Sequence, residues 1–591
     1  MKTSLTLLPL LFLASAPLAS AQYSSDPALN LAVADLASDE VQPLIVANLD
    51  GGAYVSWFSS DPAGTPAFGY DVRLQRLDAA GNEMWGPGGV LIADRGFSST
   101  QDYSLDVDPA GNALLAFRDD RSGSTQVTAT KVDASGTQVW GPNGVQVTNT
   151  SAFLAAPVIS GTSDGAVMVA WTQSSNIGMQ RLDTSGLPTW GSGITLNAGS
   201  ANYSVADMHA ADGGSAILSF VFSSGGFGSP RHLYAQKVSS AGVQQWGAGH
   251  VQVFDGGSLQ FGAFPNFVTD EAGGAVFSWY SSSPSLEVFA QRVLSNGTEA
   301  FPHNGVSVST NGAQLRVGPA VAFDAVEQET FVLYEELNGA QSLRGLSAQK
   351  FDVSGARAWG ATGLSLLPLG ASSKDSTAVV ATENGAQLFW IESPGFSQDV
   401  LRAQTVDDAG AVVHGASDLS SVPARKFRVS AVRSTSGVAL VTWQDDSSGS
   451  DNILVQNYLP NGGLGGAATS SSRNGAGINP VVYTAITEPV IGALWQTAVD
   501  KSGMIGNTGS VLYVYGAPSS GLLLPQGEVL VDLFSPSLLV HFANSGPVTD
   551  TRALPIPPVA ALIGIQLATQ VLILHPTALV LTNALDLTLG L

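Results

Sequence analysis

The chain has no cysteine in 591 residues. That excludes disulfide staples and thiolate metal sites, so stability has to come from a large apolar core or from bound ions. Basic residues are scarce, 24 Lys and Arg against 47 Asp and Glu, for a net charge of −23. A surface of that sign repels phosphate backbones, which excludes nucleic acid as a partner. Charged residues make up only 12% of the chain, too few to coat a set of amphipathic helices. The seven His are scattered, with no H-E-x-x-H and no close pair, so no zinc signature is present. Residues 553–574 carry no charge, which raises the question of a membrane span. Pro555, Pro557 and Pro558 crowd its start, Gln566 and Gln570 interrupt it, and no Lys or Arg follows to stop transfer. It reads as a buried strand pair, or as one core helix against a sheet, and not as a transmembrane helix.

What is abundant is glycine, with 66 residues, and apolar side chains, at 44% of the chain. The apolar share supports a large core and excludes global disorder. The glycine content leans toward many turns and short strands. At the N-terminus, Lys2, the apolar run Leu5–Leu18 and Ala19-Ser20-Ala21 have the order of a secretory signal peptide over residues 1–21, cut before Gln22. The expectation is a secreted or cell-envelope protein.

The dominant signal is internal repetition. QRLDAAGNEMWG begins at Gln75, and related stretches begin at Thr130, Gln180, Gln236, Gln291, Gln349, Gln404 and Gln456, spaced 50 to 58 residues apart. All eight keep Gly at the seventh place: Gly81, Gly136, Gly186, Gly242, Gly297, Gly355, Gly410 and Gly462. Each is preceded by a short apolar run ending in an aromatic, at Trp57, Phe117, Trp171, Phe220, Trp279, Tyr334, Trp390 and Trp443. Runs this short, bounded by Gly, Asp and Ser, predict strands. Each unit then has four: an apolar strand A, a strand B ending in the aromatic, a strand C carrying Gln-Arg/Lys, and a strand D after the Trp-Gly. Four-stranded units of this length, arranged radially, are β-propeller blades. The fold class predicted is all-β. An eight-bladed β-propeller spans residues 22–466, with seven blades plus a divergent unit as the alternative. The eighth unit ends in Gly-Gly-Leu-Gly-Gly, a poor strand D. Leu29–Asp35 resembles the strand D segment Val90–Asp94 and could supply it, closing the ring from the N-terminus. Residues 467–478 read as a small-residue linker, and 479–591, with strand-like runs but no repeat register, as a C-terminal β-sandwich domain.

The pattern W-x-D-x-R-x-G followed by the Gln-Arg/Lys-x-Asp-x-x-Gly-x-x-x-Trp-Gly hairpin resembles a repeat of exported bacterial propeller-like proteins. Phe117–Gly123 and Trp443–Gly449 match it best, and the resemblance covers residues 28 to 466. It implies the architecture and little about activity. The C-terminal segment resembles a small β-sandwich domain that ends many exported bacterial proteins, on Thr487–Gly492 and Leu581–Leu587.

Asp78, Gly81 and Trp85 could line a sugar site, since tryptophan stacks on pyranose rings. Their recurrence argues instead for a C–D hairpin turn with a packing Trp. Their spacing also misses the Asp-box that sialidases carry. Gly161-Thr162-Ser163-Asp164-Gly165 fits G-x-S-x-G but sits at an A–B turn with a strand after it, where a nucleophile elbow needs a helix. The acidic B–C loops are the candidate ligand site: Asp119, Asp120, Arg121, Glu335, Glu336, Glu392, Asp445 and Asp446, all expected on one face around the channel. Clustered carboxylates are hard oxygen ligands, and Asp119, Asp120, Asp445 and Asp446 are candidates for Ca²⁺; no other cofactor is expected. Solvated turn residues, with Arg121 pairing locally, are the bland alternative. The functional expectation is a monomeric, exported, non-catalytic propeller that binds a glycan, a protein or an envelope partner, more readily a non-enzyme than an enzyme. The alternatives are a polysaccharide-acting hydrolase or lyase with carboxylates at the channel mouth, and a structural envelope protein.

Overall fold

Apolar runs between Gly- and Asp-rich turns become strands because side chains alternate across a pleated backbone and both faces of each sheet are covered. The computed structural model describes residues 22–61, 69–96, 103–226, 228–503, 509–544 and 548–591. The signal peptide expected over residues 1–21 lies outside them. The described residues are strands, turns and two short 3₁₀ segments, Asp212–Gly214 and Ala560–Leu562. None of their helices is long and apolar enough to cross a membrane.

The protein is all-β, built from antiparallel four-stranded sheets in a propeller-like arrangement. In sheet 1 the strands Glu40–Ala47, Ala53–Asp61, Gly69–Leu77 and Val90–Ala93 pair in that order, as strands A to D. Sheets 2 to 4 repeat the order from inner strands Tyr103–Val107, Leu154–Gly161 and Asn202–Ala210. In sheet 5 two short strands, Ser258–Leu259 and Phe267–Thr269, share the inner place against Ala275–Ser283. Sheets 6, 7 and 8 begin at Gln314–Asp324, Ser373–Thr382 and Lys426–Arg433. The outer place of sheet 8 is taken by Leu31–Ala34, with Leu31 opposite Val455 and Ala32 opposite Leu454. Each inner strand packs against the next, and that of sheet 8 against that of sheet 1.

The cores lie between neighbouring sheets. Tyr54, Phe58, Leu115 and Phe117 pack sheet 1 on sheet 2, and Trp57, Leu440 and Val455 pack sheet 8 on sheet 1. The strand B residues Trp57, Trp279, Trp390 and Trp443 are all fully buried. Several inner strands carry a β-bulge near their start, with positive φ at Gln42, Ala156, Gly318, Ser376 and Arg428. A bulge re-aims the side chains around it and bends the strand that lines the channel.

Beyond the repeats, a five-stranded sheet holds Thr469–Arg473, Ala578–Thr588, Gln566–His575, Gly509–Tyr515 and Ser537–Asn544 in that order. A three-stranded sheet of Tyr483–Ala485, Leu494–Asp500 and Thr549–Pro555 packs on it through Tyr483, Trp495, Leu512 and Val571. Two readings change. The stretch expected as linker contributes a strand, Thr469–Arg473, at the sheet's rim. The uncharged run 553–574 is neither a strand pair nor a core helix: it ends one strand, turns through Ala560–Leu562 and enters Gln566–His575. Residues 491, 560, 563 and 591 join Tyr23 and Val438 in one cluster, so this part seats on the turn ends of sheets 8 and 1.

Candidate active site at the channel mouth

The conspicuous repeat residues are fastenings between units. Asp78 Oδ1 accepts the backbone N–H of Ala80 (3.0 Å) and of Asn82 (2.8 Å), which folds the C–D turn. Trp85 lies on the next unit's turn: a Cβ added at Gly136 would sit 3.3 Å from its ring, and its indole N–H donates to Ala134 O at 3.0 Å. Trp140, Trp190, Trp246 and Trp359 repeat this on Gly186, Gly242, Gly297 and Gly410. His414 takes the tryptophan's place on Gly462, and Tyr23 takes it on Gly81. Gln75 Nε2 donates to Gly86 O (2.6 Å), while its Oε1 accepts the Trp85 N–H (3.2 Å). In sheets 1 to 6 the Arg or Lys of strand C pairs with an acid at the A–B turn of its own sheet, as in Lys131–Asp108 at 2.9 Å and Arg292–Asp270 at 3.0 Å.

The B–C acids belong to sheets 2, 6, 7 and 8, and nearly all are matched by a cation of the chain. Asp119 is forked by Arg121 at 2.7 Å. Burial alone would push its carboxyl up, but the Arg121 hydrogen bonds hold it below the usual range. Asp445 is buried with Lys426, which overrides the same burial effect and lowers it. Glu336 lies 3.3 Å from the fully buried Arg316, Glu392 3.3 Å from Arg402, and Asp446 3.9 Å from Arg425. Asp120 Oδ1 accepts the Gly96 N–H at 3.0 Å. Among the described residues no group of three or more His, Asp or Glu is placed to hold a metal ion. The Asp119–Asp120 and Asp445–Asp446 pairs belong to different sheets, and Asp119, Asp445 and Asp446 each face a cation of the chain.

Glu335 is different in kind. It stands at the end of strand B in sheet 6, opposite Val317, and is almost fully buried. Burial drives its carboxyl up to about 7; Arg344 opposes this and the neighbouring Asp375 carboxylate adds to it. Arg344 Nη1 donates to Oε2 at 2.6 Å. The other oxygen, Oε1, faces the bulge residue Gly318, where an added Cβ would lie 3.3 Å away. Gly318 lines a cavity of about 400 Å³ at the channel, bounded by Phe264, Tyr280, Pro319, Thr377 and Ser430 from sheets 5 to 8. Thr377 Oγ1 donates to Gly318 O at 2.7 Å and ties sheets 6 and 7 together at this wall. Asp375, in sheet 7, accepts from Ser373 Oγ at 3.0 Å. Burial, with Glu335 adding, raises the Tyr280 phenol. Phe264 is half exposed at the rim, and Arg428 is exposed one residue from Val429 of the cavity wall.

So one carboxyl that keeps its proton near neutral pH lies beside a second carboxylate, next to a cavity with an exposed aromatic. A carboxyl raised toward neutral by burial can act as the acid in such a pair. Sequence reasoning had Glu335 but missed Asp375, Arg344 and Tyr280, which three other stretches of chain bring to it. It also missed a charged cluster farther along the inner strands. His209 Nε2 lies 3.1 Å from Asp207 Oδ2. Burial would lower this imidazole, but Asp207 and then Asp106 raise it to about 9.

No family model and no curated protein matches the chain. Solved structures do. A PL25 ulvan lyase, a polysaccharide lyase bound to a GlcA–Rha3S unit, is 10% identical at a TM-score of 0.39, over 65% of this chain and 96% of the other. The polysaccharide lyase Uly1 is 12% identical at 0.36, over 70% and 88%. Prolyl oligopeptidase B from Galerina marginata is 11% identical at 0.38, over 69% and 55%. At these values no residue, substrate or mechanism transfers. The expectation of a non-catalytic binding protein is nevertheless corrected toward its catalytic alternative: these neighbours are by name polysaccharide lyases and a peptidase.

Proposed function

We propose that the protein is a polysaccharide-cleaving enzyme whose reaction centre lies at the channel mouth of an exported, eight-bladed propeller closed by Leu31–Ala34. The observation that carries it is Glu335, raised to about 7 with Asp375 adding to the shift, its Oε1 facing Gly318 in the wall of a 400 Å³ cavity. In this reading Glu335, protonated on Oε1, donates its proton to the glycosidic oxygen as the bond to the leaving sugar breaks. Asp375 takes a proton from the attacking water or attacks the anomeric carbon directly. Arg344 fixes the Glu335 carboxyl through Oε2, and Phe264 offers a face for a sugar ring. Arg428 and Tyr280 favour a second reading, elimination from a uronate-containing chain. The guanidinium would neutralise the uronate carboxylate, the Asp375 carboxylate would take the C5 proton, and the Tyr280 phenol, kept protonated by its burial, would protonate the departing O4 as the C4–O4 bond breaks. The repeat resemblance and the N-terminal segment support export, and the C-terminal sheets, from Thr469 onward, support a separate β-sandwich unit.

The test is incubation of residues 22–591 with neutral and uronate-containing polysaccharides. New reducing ends without absorbance near 235 nm indicate hydrolysis; a rise at 235 nm indicates an unsaturated product of elimination. No product from either class, or full turnover by Glu335→Gln, would overturn the assignment.

A further inference from the structure

The eight repeats allow the chain to be compared with itself, and sheet 7 departs from the others at one place. In sheets 1 to 6 an apolar or aromatic residue of strand B stands directly opposite the Arg or Lys of strand C. The pairs are Tyr54 with Arg76, Leu114 with Lys131, Met168 with Arg181, Ile217 with Lys237, Val276 with Arg292 and Phe331 with Lys350. In sheet 7 the same place holds Gln387 opposite Thr405. The long cation is gone, and the turn acid it would have paired with, Glu383, is left 84% exposed and reaches Arg433 of sheet 8 at 3.6 Å.

A cleft of about 720 Å³ opens at that position, between the turn ends of sheets 7 and 8 and the segment Pro558–Ala561 of the C-terminal part. Gln387 and Thr405 both line it. Gln387 is 1% exposed, and its Oε1 has no hydrogen-bond partner. A buried amide oxygen without a donor costs free energy unless a ligand or water supplies one. The six residues of sheets 1 to 6, and Leu440 opposite Asn457 in sheet 8, which also lacks the cation, show that the fold needs no amide there. The remaining wall is mostly neutral: the hydroxyls of Ser434, Thr435 and Ser436, the Asn384 amide, and apolar faces of Val413, Pro460 and Val559. Its one guanidinium is already paired with Glu383, and Glu271 adds a further negative charge, which disfavours anions.

We propose that this cleft is a second, non-catalytic subsite for a neutral oligosaccharide of two or three sugar units. Ring hydroxyls would donate to Gln387 Oε1 and bond to the serine and threonine hydroxyls, while the C–H faces pack on Val413, Pro460 and Val559. The cleft lies at the A–B turn ends, the opposite end of the inner strands from Glu335. It would hold a polymer that the channel-mouth centre acts on, and its occupancy does not depend on that centre turning over.

The experiment is isothermal titration of residues 22–591 with cello-, manno- and xylohexaose and with an oligouronate. At least one neutral hexaose is expected to bind. Gln387→Leu, which restores the apolar residue of the sister sheets, and Thr435→Trp, which fills the cleft from an exposed turn, should each weaken it tenfold or more. Glu335→Gln should leave this affinity unchanged while removing turnover, so the two assignments fail separately. Absence of neutral hexaose binding, binding of the oligouronate alone, or wild-type affinity in Thr435→Trp would overturn the proposal.

Discussion

Gln456 Nε2 donates to the backbone carbonyl of Ser24 at 2.9 Å, across 432 positions of chain. In four other units that amide grips the residue after the Trp, as Gln180 grips Gly191 at 3.0 Å. Tyr23-Ser24 therefore stands where the eighth unit lacks its own Trp-Gly. Tyr23 is buried on Gly81, its N–H donates to Ala80 O at 3.1 Å, and burial raises its phenol above the usual range. Tyr23→Ala should cost about 2–4 kcal/mol, the range of a large-to-small change at a buried site. Calorimetry should show a lower unfolding temperature, and limited proteolysis should cut first near residues 31–34. An unchanged transition would mean that sheets 8 and 1 are not coupled through this segment.

The turn glycines carry two constraints at once. Gly186 has φ +86, and a Cβ there would lie 2.9 Å from the Trp140 ring. Gly186→Ala is expected to destabilise by about 1–3 kcal/mol from left-handed strain and overpacking together. Gly191→Ala is its control: φ is +60 and nothing lies within 4 Å, so the loss there should be about 1 kcal/mol or less. Equal losses in a urea titration would rule out the stacking contribution.

At the channel mouth, Glu335→Gln and Asp375→Asn should each lower kcat by about 10²–10⁴ with little change in melting temperature, the size expected for loss of general acid–base catalysis. Wild-type activity should fall as pH rises through about 7, where Glu335 loses its proton. A rate that instead rises through that pH would make Glu335 a base.

Several buried or half-buried groups shape the pH dependence of stability, Glu335 and Glu83 among them, and two more add to it in the same direction. Glu40, fully buried with Oε2 unpartnered, is raised by burial to about 7. The fold disfavours its ionised form, so stability drops between pH 4.5 and about 7. His209 is raised by Asp207 and Asp106 to about 9, so its contribution is complete below 6.5 and is lost as pH rises through 9. Unfolding temperature should therefore fall from pH 5 to 9. Glu40→Gln should flatten the first half of that slope in part, leaving the share of Glu335 and Glu83, and His209→Gln the second.

The Lys426–Asp445 pair is buried at both ends. Asp445→Ala leaves an uncompensated ammonium and should cost about 3–5 kcal/mol. If the acid serves this pair and not a metal, EDTA and millimolar Ca²⁺ should leave both wild type and variant where they were in a thermal scan. A Ca²⁺-dependent rise of the wild type would restore the ion site.

Much of the architecture was legible because repetition averages out local ambiguity. One hairpin such as Asp78–Trp85 could be a site or a turn, but eight copies identify the turn residues and the strand aromatics. Thr469–Arg473 was not legible, since a rim strand with mostly exposed Ser and Thr side chains has no apolar alternation to read. Its pairing with Ala578–Thr588 places it. The local pairing of Arg121 with an Asp was legible and is what Asp119 shows, whereas Arg344, Arg316 and Lys426 reach Glu335, Glu336 and Asp445 through strand pairings that short-range sequence does not display.

The sequence by itself determined the repeated four-stranded unit, the turn chemistry that bounds its strands, and the acidic, disulfide-free character of the protein. These depend on residues within one unit, where spacing and side-chain alternation suffice. Only the tertiary structure decided which carboxyl keeps its proton. Burial against Gly318, the approach of Asp375 from sheet 7 and the opening beside Thr405 come from neighbouring sheets meeting around an axis. Desolvation and cavity shape are properties of that meeting and of no single stretch of chain.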